Sequence, residues 1–464
     1  MPLREAIDFY QALLDDEMGQ RSQAQLDDQL ARRGLFFGER PLCTVLRPRF
    51  LTPRQYRFLQ GAIRSVMPAF AKAYRAALSD PAVRAAFMLA NWEEQLIQVD
   101  PGFRDPSPTA RMDSFFVTDP DPSAAQSGVR HEGGGDLCFT EYNAETPSAP
   151  GYNDVLSEVF YGLPIMRAFE RRYEVTPLPG RHQVLHALLD SYRRWGGQDR
   201  PRIAILDWRE VPTYSEFVIF EEYFRAQGLE CAIVDPREVE YDGGRLRAAD
   251  LHITLIYKRV LLSELVARGG VDHPVIRAVS DHAACMVNPF RCKILHKKAS
   301  LAVLSDEANS ALFNADDRRA IDAYVPWTRR LAERHTVYDG RRIDLIPFLL
   351  DHRDDFVLKP NDEYGGKGIV LGWEVSASEW EEAIRARLDE PTIVQRRVVL
   401  PSEPYPSLVD GRVQVIDRML DTDPFIWYGD FMSCCLTRLS TAALLNVTAG
   451  GGSTVPTFLV EERE

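Results

Sequence analysis

The chain has 464 residues, 55 basic and 68 acidic, for a formal net charge of −13. That length exceeds what one hydrophobic core usually supports, so two or three domains are expected. The acidic balance excludes a broad phosphate-backbone surface, and with it nucleic acid as a partner, while leaving room for a small anionic ligand in a local basic pocket. The chain starts Met1-Pro2-Leu3-Arg4-Glu5-Ala6 and runs into a polar stretch instead of an apolar signal core. No apolar run reaches membrane-spanning length, so the expectation is a cytoplasmic protein with no membrane partner. Helical spacing of Ile7, Tyr10, Leu13 and Leu14, and of Phe58, Ile63, Val66, Phe70 and Tyr74, predicts a helical region over 1–100. A Pro/Gly/Asp-rich stretch at 100–108 breaks it. Strands are predicted at 112–117 and 137–142, joined through a turn at 119–135 as a hairpin. A helical stretch from 154 to about 195 follows.

From Pro201 the texture changes. Strand 203–206, helix 216–227, strand 231–234, the turn Asp242-Gly243-Gly244 and strand 253–257 predict a small open α/β unit. No GxGxxG follows its first strand, so a dinucleotide site is not expected there, and it reads as a substrate-side or scaffolding domain. The remainder is again α/β: helix 295–304, strand 356–359, a glycine loop, strand 369–371, helix 378–388, strand 392–395 and paired strands near the end.

Two constellations carry chemistry. Lys359-Pro360 leads into Asn361-Asp362-Glu363-Tyr364-Gly365-Gly366-Lys367-Gly368, where glycines let backbone N–H groups approach anionic oxygens and the lysines add charge. Strand follows instead of helix, so this is a β-hairpin flap and not a Walker A loop; the alternative is an ordinary glycine-rich turn with solvated lysines. The second is Arg111-Met112-Asp113 with Glu141-Tyr142-Asn143. Residues i and i+2 of a strand share a face, so pairing would present two carboxylates, an amide oxygen and a guanidinium together. Such hard oxygen donors suit Mg²⁺, and Arg111 suits an oxyanion or transferring phosphoryl group. The competing reading is a solvated face with a cross-strand ion pair. Lys297-Lys298 is a further candidate to reach a nucleotide or, equally, solvated surface. The nine histidines form no HExxH, and the seven cysteines form no CxxC and are expected to be reduced, with Cys434 inward and Cys435 outward or the reverse.

The order Arg-x-Asp, then Glu141-Tyr142-Asn143-Ala144-Glu145-Thr146-Pro147, then an α/β insertion, lysines and a glycine loop resembles glutathionylspermidine synthetase. It resembles more closely the circularly permuted ATP-grasp proteins related to that enzyme. Supporting stretches are Ile256-Tyr257-Lys258-Arg259-Val260, Phe356-Val357-Leu358-Lys359-Pro360, Ile393-Val394-Gln395 and Asn446-Val447-Thr448-Ala449-Gly450-Gly451-Gly452. The resemblance implies an α/β (α+β) chain with an ATP-grasp fold in permuted order. Residues 1–100 would be a helical N-terminal region and 101–200 the first part of the ATP-grasp domain with the metal-binding strands. Residues 201–290 would be a pre-ATP-grasp-like α/β domain, and 291–464 the remaining subdomains with phosphate flap and adenine hinge. It implies Asp113, Glu141 and Asn143 as magnesium ligands and Arg111 as the residue steadying the acyl-phosphate transition state. Lys298 and Lys359 would hold the inner phosphates of ATP, with Gly365, Gly366, Lys367 and Gly368 in the flap and Gln395 at the adenine hinge. Thr146 and Ser148 would lie near the acyl substrate.

The expected activity is therefore ligation of a small-molecule or peptide carboxylate to an amine, dependent on ATP and Mg²⁺ and passing through an acyl phosphate. A small-molecule kinase and a non-catalytic nucleotide-binding module are the alternatives. The flap departs from that of the synthetase, so glutathione and spermidine are not implied. Oligomeric state, including a homo-oligomer, is left open.

Overall fold

The computed structural model describes residues 3–118, 136–441 and 452–463. The turn predicted at 119–135 and residues 446–451 of the glycine-rich motif lie outside them. Among the described residues no helix is long and apolar enough to cross a membrane.

The N-terminal region is mainly helical. Its longest helix, α1 (Pro53–Ser79), starts at a capping box in which the Thr52 hydroxyl accepts from Gln55 N and the Gln55 side chain accepts from Thr52 N. Ile63, Val66, Phe70 and Tyr74 are buried as the spacing predicts, joined by Leu59, while Phe58 is half-buried. They pack with Met112, Phe139 and Tyr142 of strands β1 (Thr109–Val117) and β2 (Asp136–Asn143), so α1 backs the hairpin that carries the candidate ligands. The span read as continuous helix is α2 (Pro150–Gly162), α3 (Pro164–Phe169), strand β3 (Tyr173–Pro177) and α4 (Arg181–Trp195). Tyr173 and Val175 are buried and Glu174 and Thr176 exposed, an alternation too short to stand out in sequence; β3 pairs with Thr457–Glu462 from the far end of the chain.

The predicted α/β unit is present as a four-stranded sheet. In chain order it comprises β4 (Arg202–Leu206), α5 (Tyr214–Ala226), β5 (Glu230–Val234), β6 (Leu255–Lys258), α6 (Leu262–Gly269) and β7 (Cys285–Val287). The strand order is β7-β6-β4-β5, every neighbouring pair parallel. Ile203, Ala204, Ile205 and Leu206 are all buried, as a strand covered on both faces requires.

The helix predicted at 295–304 is two short helices, α7 (Cys292–His296) and α8 (Ala299–Ser305), interrupted at Lys297 and Lys298. An antiparallel sheet follows, built from β8 (Thr328–Arg330), β9 (Phe356–Pro360), β10 (Val370–Leu371) and β11 (Thr392–Arg396) in the order β8-β11-β9-β10, with helix α9 (Ala377–Arg387) between its last two strands in sequence. Strands β9 and β10 pair antiparallel, so the glycine loop between them caps a hairpin, as expected for a flap.

The C-terminal strands β12 (Ser402–Val409), β13 (Arg412–Leu420), β14 (Asp423–Trp427) and β15 (Phe431–Ser440) join β1 and β2 in one seven-stranded sheet, ordered β12-β13-β15-β14-β1-β2, with Ser453–Val455 added on β15. Phe425 stands opposite Arg111. Cys434 and Cys435 are both fully buried, correcting the expectation that one faces outward. This sheet has a core on each face: Cys434 packs in the cluster of Phe160 and Phe425, Cys435 in that of Phe70 and Met112.

Candidate active-site cleft

The seven-stranded sheet, the parallel sheet and the flap-bearing sheet meet around a cleft of about 1960 Å³. Strand periodicity explains its floor. Arg111 lies opposite Asn143 and Asp113 opposite Glu141, with a register shift after Asp113, so all four side chains reach the cleft. Arg111 is buried and donates from Nε to Asp113 Oδ1 at 2.7 Å and from Nη2 to Oδ2 at 3.2 Å; Nη1 donates to the Ser148 carbonyl at 3.2 Å. Asn143 Nδ2 donates to the same Asp113 Oδ1 at 2.8 Å.

A residue that sequence reasoning missed completes this cluster. Arg438, on β15, donates to Asp113 Oδ2 at 2.8 Å, Asp423 Oδ2 at 2.9 Å and Asp421 Oδ2 at 2.6 Å. Burial favours the neutral acid at Asp113, but the charges of Arg111 and Arg438 outweigh it and hold the carboxyl well below its usual range. Asp423 goes the other way: burial, then the like charges of Asp113 and Asp421, push its carboxyl well above that range. Three carboxylates around two guanidiniums thus push the acidities of Asp113 and Asp423 in opposite directions. The local signal for this was Asp421-x-Asp423, two acids closely spaced at the entry to β14, and Arg438 as the one charged residue of β15.

The lysine pair splits. Lys298 does not itself line the cleft; it lies 3.1 Å from Oε1 of the cleft-lining Glu141 and donates to the Glu363 carbonyl at the flap root at 2.5 Å. Lys297 points into the protein, 2.8 Å from Glu93 and 2.9 Å from Asp362. Lys293 joins it by binding Glu145 at 3.0 Å and Asp362 at 2.6 Å, and Lys258 binds Glu145 at 3.2 Å. Lys297 and Lys298 are each 4% exposed, so the solvated alternative fails for both. His296, beside them, is driven down to about 4 by burial and then by Lys293, and is neutral at physiological pH.

Lys359 is buried, donating to Gln395 Oε1 at 2.8 Å and the Thr140 carbonyl at 3.3 Å; burial lowers its ammonium to about 8. The Gln395 side chain also donates to Thr328 Oγ1 at 3.0 Å, which fixes the amide oxygen that Lys359 meets. Gly365, Gly366 and Gly368 all have positive φ, between 65° and 75°, a conformation that costs side-chain-bearing residues energy. Gly365 and Gly366 line the cleft, as do Thr146 and Ser148; Lys367 and Gly368 do not, and Lys367 is solvated, 3.5 Å from Glu363. Val357, Ile369 and Leu371 from the flap sheet and Met419 and Leu436 from the large sheet give the cleft an apolar slot.

The donor set can be tested against a magnesium ion. Glu141 and Asn143 share a face of β2 and keep oxygens toward the cleft, which fits a hard cation completed by phosphate oxygens and water. Asp113 receives four N–H groups, filling the acceptor capacity of a carboxylate, and reaches a cation only by exchanging one of them. Among the described residues no three His, Cys, Asp or Glu side chains converge as a metal site.

No family model matches the sequence, and no curated protein matches it. Among solved structures the chain is similar to a glutathione synthetase-like effector from Globodera pallida in its apo form, with a TM-score of 0.58, 10% identity, and coverage of 96% of this chain and 98% of that one. The likeness shows a shared mixed α/β fold over nearly the whole length of both.

Proposed function

We propose that the chain is an ATP- and Mg²⁺-dependent ligase of ATP-grasp type, in circularly permuted order, that joins a carboxylate to an amine through an acyl phosphate. The observation that carries this reading is Lys359 and Glu141 lining one cleft with the Arg111–Asp113–Arg438 cluster, and Lys298 3.1 Å from Glu141. Phosphate-binding cations, hard oxygen donors and anion-stabilising guanidiniums then serve one reaction centre. The apolar slot supports a nucleobase, and the fold shared with a glutathione synthetase-like protein supports ligation. The pairing of β14 with β1, which sets the two halves of the site side by side from opposite parts of the chain, supports the permuted order.

In this mechanism Lys298 and Lys359 hold the inner phosphates, and the glycine loop offers its N–H groups to the outer ones. A substrate carboxylate, held near Thr146 and Ser148, attacks the γ-phosphorus; its P–O bond to ADP breaks as the acyl phosphate forms. Arg111 and Arg438 stabilise the charge that develops on the transferring group. The amine nitrogen then attacks the acyl carbon, inorganic phosphate leaves, and a proton passes to water. Mg²⁺ held by Glu141 and Asn143, with Asp113 beside them, supplies neutralisation of phosphate charge. The flap excludes water that would hydrolyse the acyl phosphate.

The test combines a screen of carboxylate and amine pools for ADP release, mass spectrometry of the product, and the double variant Asp113→Asn/Glu141→Gln. An amide product with free phosphate, and loss of turnover by about 10²-fold or more in the variant, are expected. Near-normal magnesium-dependent turnover in that variant would sink the assignment of these carboxylates. A stable phosphorylated product would replace ligation with phosphoryl transfer.

A further inference from the structure

The wall of the cleft formed by the parallel sheet carries two carboxylates, Asp207 and Glu264, that form no ion pair among the described residues. Asp207 directly follows β4, and Lys258 and Arg259 end and follow β6, its neighbour in the sheet. From β4 the chain passes through α5 to β5 on one side, then returns across to β6 on the other. The carboxyl ends of β4 and β6 therefore flank the topological switch point, where open α/β sheets bind ligands.

The cations at this edge are already matched. Lys258 lies 3.2 Å from Glu145 and Arg259 3.0 Å from Glu216, all four buried. Arg209, Arg237 and Arg268 nearby are spent on Glu238, Asp235 and Glu210. Two carboxylates remain. Asp207 is 7% exposed and lines the cleft; its Oδ1 accepts from Trp208 N at 2.8 Å, while Oδ2 meets no donor among the described residues. Glu264, in the first turn of α6, also lines the cleft and takes only neutral donors: the Trp208 indole at 3.1 Å and the hydroxyl of Tyr364 in the flap at 3.0 Å. A buried carboxylate without a cation is costly, and a cleft-facing one is satisfied when a ligand brings the missing charge.

We propose that Asp207 and Glu264 form a subsite for a positively charged nitrogen of the second substrate, an ammonium group, with Tyr364 coupling its occupancy to flap closure. The proposal rests on the ligase reading and names the class of its amine. Two carboxylates with an indole and a hydroxyl do not make a magnesium site, whereas an ammonium needs only a few acceptors. Burial, the largest influence, pushes the Asp207 carboxyl up to about 6, against Arg259 and Lys258, which lower it, and with Glu264, which raises it. Ammonium binding therefore strengthens as pH rises through that value.

The test is calorimetry on the full chain with 1,4-diaminobutane and its uncharged counterpart 1,4-butanediol, in the presence of Mg²⁺ and the non-hydrolysable nucleotide AMP-PNP. Diaminobutane should bind and butanediol should not. Asp207→Asn and Glu264→Gln should each weaken diaminobutane at least tenfold while keeping AMP-PNP affinity within twofold, which also shows that the variants are folded. The gain in affinity above pH 6 should vanish in Asp207→Asn. Failure of diaminobutane to bind, equal binding by wild type and both variants, or equal binding of diol and diamine overturns the ammonium subsite. If diaminobutane binds as expected but AMP-PNP does not bind the wild type, the subsite stands and the ATP reading falls.

Discussion

Replacing Arg438 with methionine keeps much of the side-chain volume and removes the charge that three carboxylates share. Arg438 lies 2.8 Å from Asp113, 2.9 Å from Asp423 and 2.6 Å from Asp421, and the side chains of the last two are 0% and 2% exposed. Each contact at about 4 Å between charge centres corresponds to roughly 4 kcal/mol at an effective dielectric constant near 20, before the desolvation of the arginine is returned. Removing one partner from a buried pair costs about 3–5 kcal/mol net; because Arg438 is itself 22% exposed, the lower end, about 3 kcal/mol, is expected near pH 8. The pH dependence gives the sharper test. In the wild type Asp113 is held low, so it contributes stability above its unfolded pKa that is lost as pH falls. Asp421 and Asp423 are held high, so they bind protons more tightly when folded and cost stability as pH rises. Without Arg438 all three shift upward, and the penalty should be larger at pH 8 than at pH 5.5. Scanning calorimetry of wild type and Arg438→Met at both pH values measures this as two melting-temperature differences. Equal differences, or none at pH 8, would refute the reading of this cluster as three carboxylates held by one shared arginine.

Two further predictions concern the lysines. Because burial lowers Lys359 to about 8, more than half of the free protein carries it neutral at pH 8.5, and a phosphate anion favours the charged form. ATP binding there should take up protons, seen as a buffer-dependent heat in titration calorimetry and lost in Lys359→Met; proton release on binding would contradict the assignment. Lys297→Ala leaves the fully buried Glu93 and the flap-root Asp362 short of a cation and should cost about 3 kcal/mol of stability, whereas Lys298→Ala should weaken ATP about tenfold with a smaller loss of melting temperature. The reverse pattern would mean that the two lysines have been assigned to the wrong sides.

What could be read without coordinates was whatever a local period encodes. Arg111 with Asp113 and Glu141 with Asn143 share faces because a strand repeats every two residues, and the pairing of the two strands follows from their closeness in sequence. The glycines of the flap were legible for the same reason: positive φ is a local demand. Arg438 was not, because it meets Asp113 only after β15 pairs with β14 and β14 with β1, contacts across more than three hundred residues that no periodicity announces. The lysine pair shows the limit from the other side. Adjacent lysines ordinarily mean solvent, since an unpaired buried ammonium is prohibitive. Here Glu93, Glu145 and Asp362 arrive from three separate parts of the chain to make burial tolerable, and at the short break between α7 and α8 the two neighbours take different partners. Lys298 is left to meet Glu141 and the Glu363 carbonyl because Lys293 and Lys297 hold the flap root through Asp362, so the partners of one lysine depend on the burial of the other two. Sequence patterns of this kind identify which groups a site owns; which way each one points is decided by counter-charges that only the tertiary fold assembles.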